Sequence, residues 1–244
     1  MTNYDTVCSV DPGLTGGISF LKKDEEPIVF RMPVKKIIKN KKKKNVYDLK
    51  EIVKIIKNNK KGRTIFIVEK QGVRPGEGAV SAMTIGEGYG SLKGIAVALN
   101  LQVIVVLPHI WKKHFAELST PEMDQFRDKG KAIKAEMKEF QEILKTLSDS
   151  LKNTKDASQK KLYKKEIEDN KNIASSLKKQ HEKNNRSLKS AAKKQSRELC
   201  KQMYPDMEEE FKLVKDDGKS DALLIGLYAR DNINELVSKN KQAI

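Results

Sequence analysis

Two cysteines, Cys8 and Cys200, are all that 244 residues contain, and they lie far apart in the chain. That scarcity excludes a disulfide scaffold and points to a reducing compartment. Neither cysteine stands at the Cys and His spacing a zinc site requires. No apolar run approaches the roughly 18 residues of a membrane-spanning helix. The N-terminus also lacks the basic, then apolar, then small-residue order of a signal peptide. The expectation is a soluble intracellular protein of cytoplasm or nucleoid, with no membrane partner. No internal repeat is present. From about Thr120 to Lys194, glycine is missing after Gly130 and proline after Pro121, so nothing in that stretch breaks a helix.

What the chain has in excess is positive charge. A formal net charge of +16 favours a polyanion such as nucleic acid, or less often an acidic membrane face; a generally lysine-rich proteome would leave the same mark. The length suits one compact domain with an insertion. Residues 5 to 33 read as three short strands joined by tight turns, hence antiparallel, with Thr6, Cys8 and Val10 on one face. The lysine run "KKIIKNKKKKN" reads as a solvated loop. "VYDLKEIVKIIKN" after it reads as a helix carrying Val46, Leu49, Ile52, Val53 and Ile56. "RTIFIVEK" is a near-continuous apolar strand of the kind covered on both faces. "AVSAMTIGEGYGSLKGIAVALN" reads as a helix whose glycines imply close packing against another backbone. A strand "QVIVVLP" and a short helix "HIWKKHF" follow. The order gives an α/β fold, a mixed five-stranded sheet with flanking helices.

In the glycine-free stretch, Ile133, Met137, Phe140, Leu144, Leu147 and Leu151 alternate four-then-three as a heptad seam. Ile167, Ala174, Leu177, His181, Leu188 and Ala191 form a more polar one. With "SLKNTKDASQ" between them, the expected form is an inserted, coiled-coil-like helical hairpin over 119–192, the alternative being pairing between two such arms. Residues 119 to 195 hold 20 Lys plus Arg against 12 Asp plus Glu, half the excess of the chain. The segment is either a clamp on nucleic acid or a solvated spacer. "SRELCKQMYPDM", a helix stopped by Pro205, and the apolar helix "KSDALLIGLYARDNINELV" then complete the domain of 1–118 and 193–244.

Four acids stand where an unpaired carboxylate costs stability. Asp11 ends the first strand, in "SVDPG", and Glu69 ends the fourth. Asp217 and Asp221, four apart, share one helix face. Alone, Asp11 could serve only the turn, Glu69 only a strand end, and the pair only a helix start. Together they form a set of like charges that a cation must neutralise. Two Mg²⁺ ions, which favour hard carboxylate oxygens, would do so and would serve in-line phosphoryl displacement.

"SVDPGLTGGISF", "IFIVEKQGVRPGEGAVSAMTIGEGYGSLKGIAVALNLQVIVVLPHIWKKHF" and "KSDALLIGLYAR" together resemble the RuvC-type Holliday junction resolvases. The middle segment is most similar to the plant chloroplast branch. The resemblance covers about residues 5–118 and 193–232. It implies an RNase H-like fold, a homodimer, and Mg²⁺-dependent paired nicking of four-way DNA junctions that leaves 5′-phosphate and 3′-hydroxyl ends, with Mn²⁺ able to substitute and two ions per site. Asp11, Glu69 and Asp221 match the family's acids. The remaining bacterial acid falls on Gly218 here, so its role passes to Asp217, with Asp216 as the substitute. "WKKHF" matches the segment whose lysine lies near the scissile phosphate, giving Lys112 or Lys113. Arg74 in "GVRPGEG" and Gly86, Gly88 and Gly90 match the family's DNA-contacting loop and the helix near its junction and dimer interface. Another nuclease of the same fold acting on flaps or branched DNA, a branched-DNA binder without catalysis, and an actin-like kinase or ATPase are the competing classes.

Overall fold

The computed structural model describes residues 4–39, 41–73 and 76–241. Two compact units divide it, one of residues 1–118 with 193–244 and the other of 119–192. In the first, β1 (Thr6–Asp11), β2 (Gly17–Lys22) and β3 (Ile28–Arg31) form an antiparallel meander, and β6 (Thr64–Glu69) and β7 (Gln102–Val106) extend it in parallel. The order is β3-β2-β1-β6-β7, consistent with an RNase H-like fold. Between the two halves of the sheet come β4 (Val34–Lys39), β5 (Lys42–Tyr47) and helix α1 (Leu49–Asn59).

The lysine run expected to be a loop is thus an antiparallel ribbon, β4 on β5, in register from Val34↔Tyr47 to Lys39↔Lys42. Val34, Ile37, Ile38 and Val46 supply the β-branched residues that offset the lysines' weak strand preference. Val46 and Tyr47 therefore belong to a strand, and α1 begins only after Asp48, whose carboxylate accepts from the Glu51 N–H at 3.3 Å.

Both faces of the sheet are buried. Val7, Ile65, Ile67 and Ile104 meet helix α3 (Pro108–His114) and helix α6 (Asp217–Asp231) through Trp111, Leu223 and Leu227. Cys8, Val10, Phe66 and Val68 meet α1 and helix α2 (Ala79–Ala98) through Ile52, Ile56, Leu92 and Ala96. This double cover is why β1 and β6 read as continuous apolar runs. The last apolar helix is two, α6 and α7 (Ile233–Lys241), separated at Asn232.

In the second unit, helix α4 (Pro121–Asn153) faces the stretch of helix α5 (Ala157–Met203) up to Ala192. The link is only 154–156, shorter than the ten residues the sequence suggested. Ile133 and Leu177 are buried, and most of the other seam positions are half-buried. The buried Asn184 donates to the Phe126 carbonyl at 2.7 Å. Residues 193–203 of α5 belong to the first unit.

Candidate active site at the carboxylate end of the sheet

Side chains alternate along a strand, and the alternation decides which acids meet. Asp11 shares its face with Val7 and Ser9, the face that carries α6; Glu69 shares its face with Ile65 and Ile67, the same side. The parallel register Val10↔Val68 brings the two ends level. On α6, small groups allow close approach: the Ser9 and Ser19 hydroxyls lie 2.6 Å apart and donate to the Ala222 carbonyl at 2.8 and 3.1 Å. Asp221, the residue before Ala222, is carried to the same place.

The electrostatics show that the three are neighbours. Burial, then the charge of Asp221, then that of Glu69, push the Asp11 carboxyl well above the ordinary range, against the opposing pull of Lys112 and Lys193. Burial also raises Glu69, although the Trp111 indole donates to its Oε2 at 2.7 Å and Lys112 favours the anion. Asp221 is raised by burial, opposed by Lys112 and by a hydrogen bond with Ser196, and raised again by Asp217. Its Oδ1 is buried without a hydrogen-bond partner among the described residues. Of the two lysines in "WKKHF", Lys112 acts on all three carboxylates; Lys113 is exposed and forms no ion pair among the described residues.

The two acids that compete for the fourth position have separate fates. Asp216 is buried in a cage: Arg31 Nε donates to Oδ1 at 2.7 Å, Lys219 Nζ lies 3.1 Å from the same oxygen, and the Leu213 N–H donates to Oδ2 at 3.0 Å. Burial would raise its pKa, but these hydrogen bonds outweigh it and hold the carboxyl below the usual range. Asp217 acts electrostatically on Asp221, and both of its oxygens are already engaged, one by Arg197 and the other by Lys193 at 3.2 Å.

Position 218, next to Asp217, leaves no room for a side chain. A Cβ on Gly218 would sit 2.3 Å from the Thr15 carbonyl oxygen and from the Gly16 carbonyl carbon; one on Gly17 would sit 2.4 Å from the Gly218 oxygen. Backbone passes backbone here, so the turn after Asp11 is pressed onto the start of α6 and no side chain fits at 218.

The glycines of α2 divide. Gly88 is buried, and a Cβ there would meet the Tyr47 ring at 2.3 Å. Its close partner is a side chain and not the backbone the sequence led us to expect. Gly86 and Gly90 are exposed, with nothing among the described residues within 4 Å of an added Cβ. Arg74 lies outside the described residues. Sequence reasoning missed Lys193, Ser196 and Arg197; their i, i+3, i+4 spacing on α5 marks a single polar face and was the available signal.

The donors present are hard carboxylate oxygens, and the orphan Asp221 Oδ1 is an atom that a cation would satisfy, so Asp11, Glu69 and Asp221 suit a divalent ion by chemistry. They are not drawn into a closed shell: among the described residues no three His, Cys, Asp or Glu side chains are grouped closely enough to hold a metal. Asp217 suits one only on release from Arg197 and Lys193. No described helix is long and apolar enough to cross a membrane.

No family model matches the chain, and no curated protein does. Among solved structures, the chain is similar to Thermus thermophilus RuvC in complex with a Holliday junction substrate, at 14% identity and a TM-score of 0.32 over 46% of this chain and 71% of that one. It is likewise similar to Thermus thermophilus RuvC alone, at 15% identity and a TM-score of 0.28 over 44% and 67%.

Proposed function

We propose that this protein is a structure-selective endonuclease that resolves four-way DNA junctions by paired symmetrical nicks, leaving 5′-phosphate and 3′-hydroxyl ends, as a homodimer that uses Mg²⁺ or Mn²⁺. The observation that carries this reading is the convergence of Asp11, Glu69 and Asp221, from two strand ends and one helix, on one partly buried spot with Lys112 as their common cation. Three like charges in a desolvated place cost stability and have no packing purpose, which is the signature of a functional cluster.

Divalent ions bound by these carboxylates, two per site, would stabilise charge on both oxygens of a phosphodiester undergoing displacement. The chain's own groups prepare that place. Trp111 fixes Glu69 through its indole N–H, and Ser196 orients Asp221. Lys112 offers positive charge to a phosphate entering between the carboxylates. Asp217 serves as the further donor when Lys193 and Arg197 let it go. Arg74, Lys113, Gly86, Gly88 and Gly90 belong to the DNA-contacting side in this reading. Residues 119–192 are an insertion in a nuclease domain made of 1–118 and 193–244. Two-fold symmetry of a dimer matches that of a junction.

The test is to incubate a labelled four-way junction, a linear duplex and a flap with the protein in Mg²⁺, in EDTA, and with Asp221→Asn. Paired nicks on the junction alone, abolished by EDTA and by the substitution, are expected. Equal cutting of duplex or flap would assign the protein to another nuclease class of the same fold, and binding without cutting would make it a branched-DNA binder.

A further inference from the structure

The β4–β5 ribbon carries the densest charge of one sign in the molecule. Residues 34–47 hold seven lysines and no acid. Lys35, Lys36, Lys41 and Lys43 are exposed, and none forms an ion pair among the described residues. Several surface lysines elsewhere have acidic partners: Lys61 with Glu25, Lys131 with Asp128, Lys212 with Glu209, Lys239 with Glu235. Like charges across a ribbon repel, so this strand pair carries a cost that a polyanion would relieve. Ile38, opposite Lys43, is 77% exposed, an apolar side chain set among cations.

The ribbon is also fixed in place. Its base is closed by the Asp48 N–H donating to the Pro33 carbonyl at 2.9 Å, and the Met32 N–H reaches the Gly16 carbonyl, in the turn after Asp11, at 2.9 Å. Tyr47 rests on Gly88 of α2. A crevice of about 260 Å³ lies between the ribbon (Lys44, Tyr47), Leu14 of that turn, and Thr84, Glu87 and Ser91 of α2. Burial and the charge of Asp11 push the Tyr47 phenol up to about 12, a sign of how near the ribbon stands to the carboxylates.

We infer that the β4–β5 ribbon is a second nucleic-acid contact, gripping the phosphate backbone of a duplex DNA arm beside the carboxylate site. A two-stranded ribbon fits the major groove of B-form DNA, with lysines reaching the flanking phosphates and an apolar side chain free to meet base edges. The narrow, deep major groove of duplex RNA would not admit it. The identity of the polyanion rests on the nuclease reading above; the charge, exposure and position of the ribbon do not.

The experiment replaces Lys35, Lys36, Lys41 and Lys43 by glutamine in the full chain and measures binding to a labelled duplex and a four-way junction by fluorescence anisotropy in EDTA across a salt series. Each lysine–phosphate pairing removed should reduce the slope of log K against log[salt] by about 0.9, so up to about 3.6 for four, with Kd weakened roughly tenfold or more at fixed salt. The matching Lys→Arg variant should restore the slope. An unchanged slope, failure of the arginine variant to restore it, or wild-type preference for duplex RNA or for phosphatidylserine vesicles would overturn the inference. A wild-type protein that cuts no DNA would defeat the nuclease reading while the salt slope still judged the ribbon.

Discussion

At the ends of β1 and β6 and on α6, carboxylates are crowded into a half-buried place, whereas along β4 and β5 lysines are strung out in water. Both are concentrations of like charge, and the solvent makes them different. Out of water, like charge is relieved by holding protons, so the acids rise together; in water it is screened. A buried cluster is thus built to exchange protons or cations, and an exposed one to meet an extended counter-charge. Perturbing either cluster shows whether that contrast holds.

Asp221→Asn should have the largest effect. Cleavage falls on the order of 10³-fold or more, the several kcal/mol of charge stabilisation a carboxylate-held ion contributes. The same change should raise the melting temperature of the metal-free protein near neutral pH. The raised carboxyls of Asp11, Glu69 and Asp221 mean that the folded state keeps protons the unfolded chain has released. Their contribution to stability is therefore complete below the unfolded range of about 4 and disappears as pH rises through the raised values. Thermal melts of wild type in EDTA should accordingly show a gain on acidification from neutral, and a variant that melts lower than wild type would contradict this.

Gly218→Asp should cost about 3 kcal/mol or more in urea unfolding, because it drives a Cβ into the Thr15–Gly16 backbone. A stable, active variant would show that the turn can yield. Asp216→Asn should cost about 3 kcal/mol by leaving Lys219 and Arg31 without their shared anion. Here the pH dependence runs the other way. The depressed pKa of Asp216 gives stability that is present above the unfolded value and lost as pH falls through the folded one. The two acids one residue from each other in the chain, 216 and 217, would then separate cleanly, the first in melts and the second in cleavage.

Lys112→Ala should have a smaller effect, a loss of about 10- to 100-fold in cleavage rate. The acidic limb of the pH–rate profile should move upward, since the cation that favours all three anions is gone. Lys113→Ala should change cleavage less than Lys112→Ala, and equal losses would show that both lysines face the phosphate.

Much of this was legible in the chain before any fold was known. Apolar alternation and its absence placed the five strands of the main sheet, and an acid closing each of two buried strands marked Asp11 and Glu69. Asp221 followed from its spacing of four from Asp217 on one helix face and from the resemblance carried by "KSDALLIGLYAR". The lysine ribbon was not legible, because seven lysines in fourteen residues outweigh four β-branched residues in any local reading, and only cross-strand pairing and the Tyr47–Gly88 contact make it a strand pair. Nor was the separate fate of Asp216 and Asp217, of which the sequence favours Asp217 with Asp216 as the substitute.

The sequence by itself determined that Asp11 and Glu69 would each close an apolar strand, since side chains alternate with a period of two along a strand. Only the tertiary structure decided which acids became free and which became paired. Arg31 meets Asp216 across 185 residues, and the backbone at Thr15 and Gly16 forbids a side chain at 218. Such contacts are set by the close packing of α6 on β1 and β2, a constraint that no local pattern of residues carries.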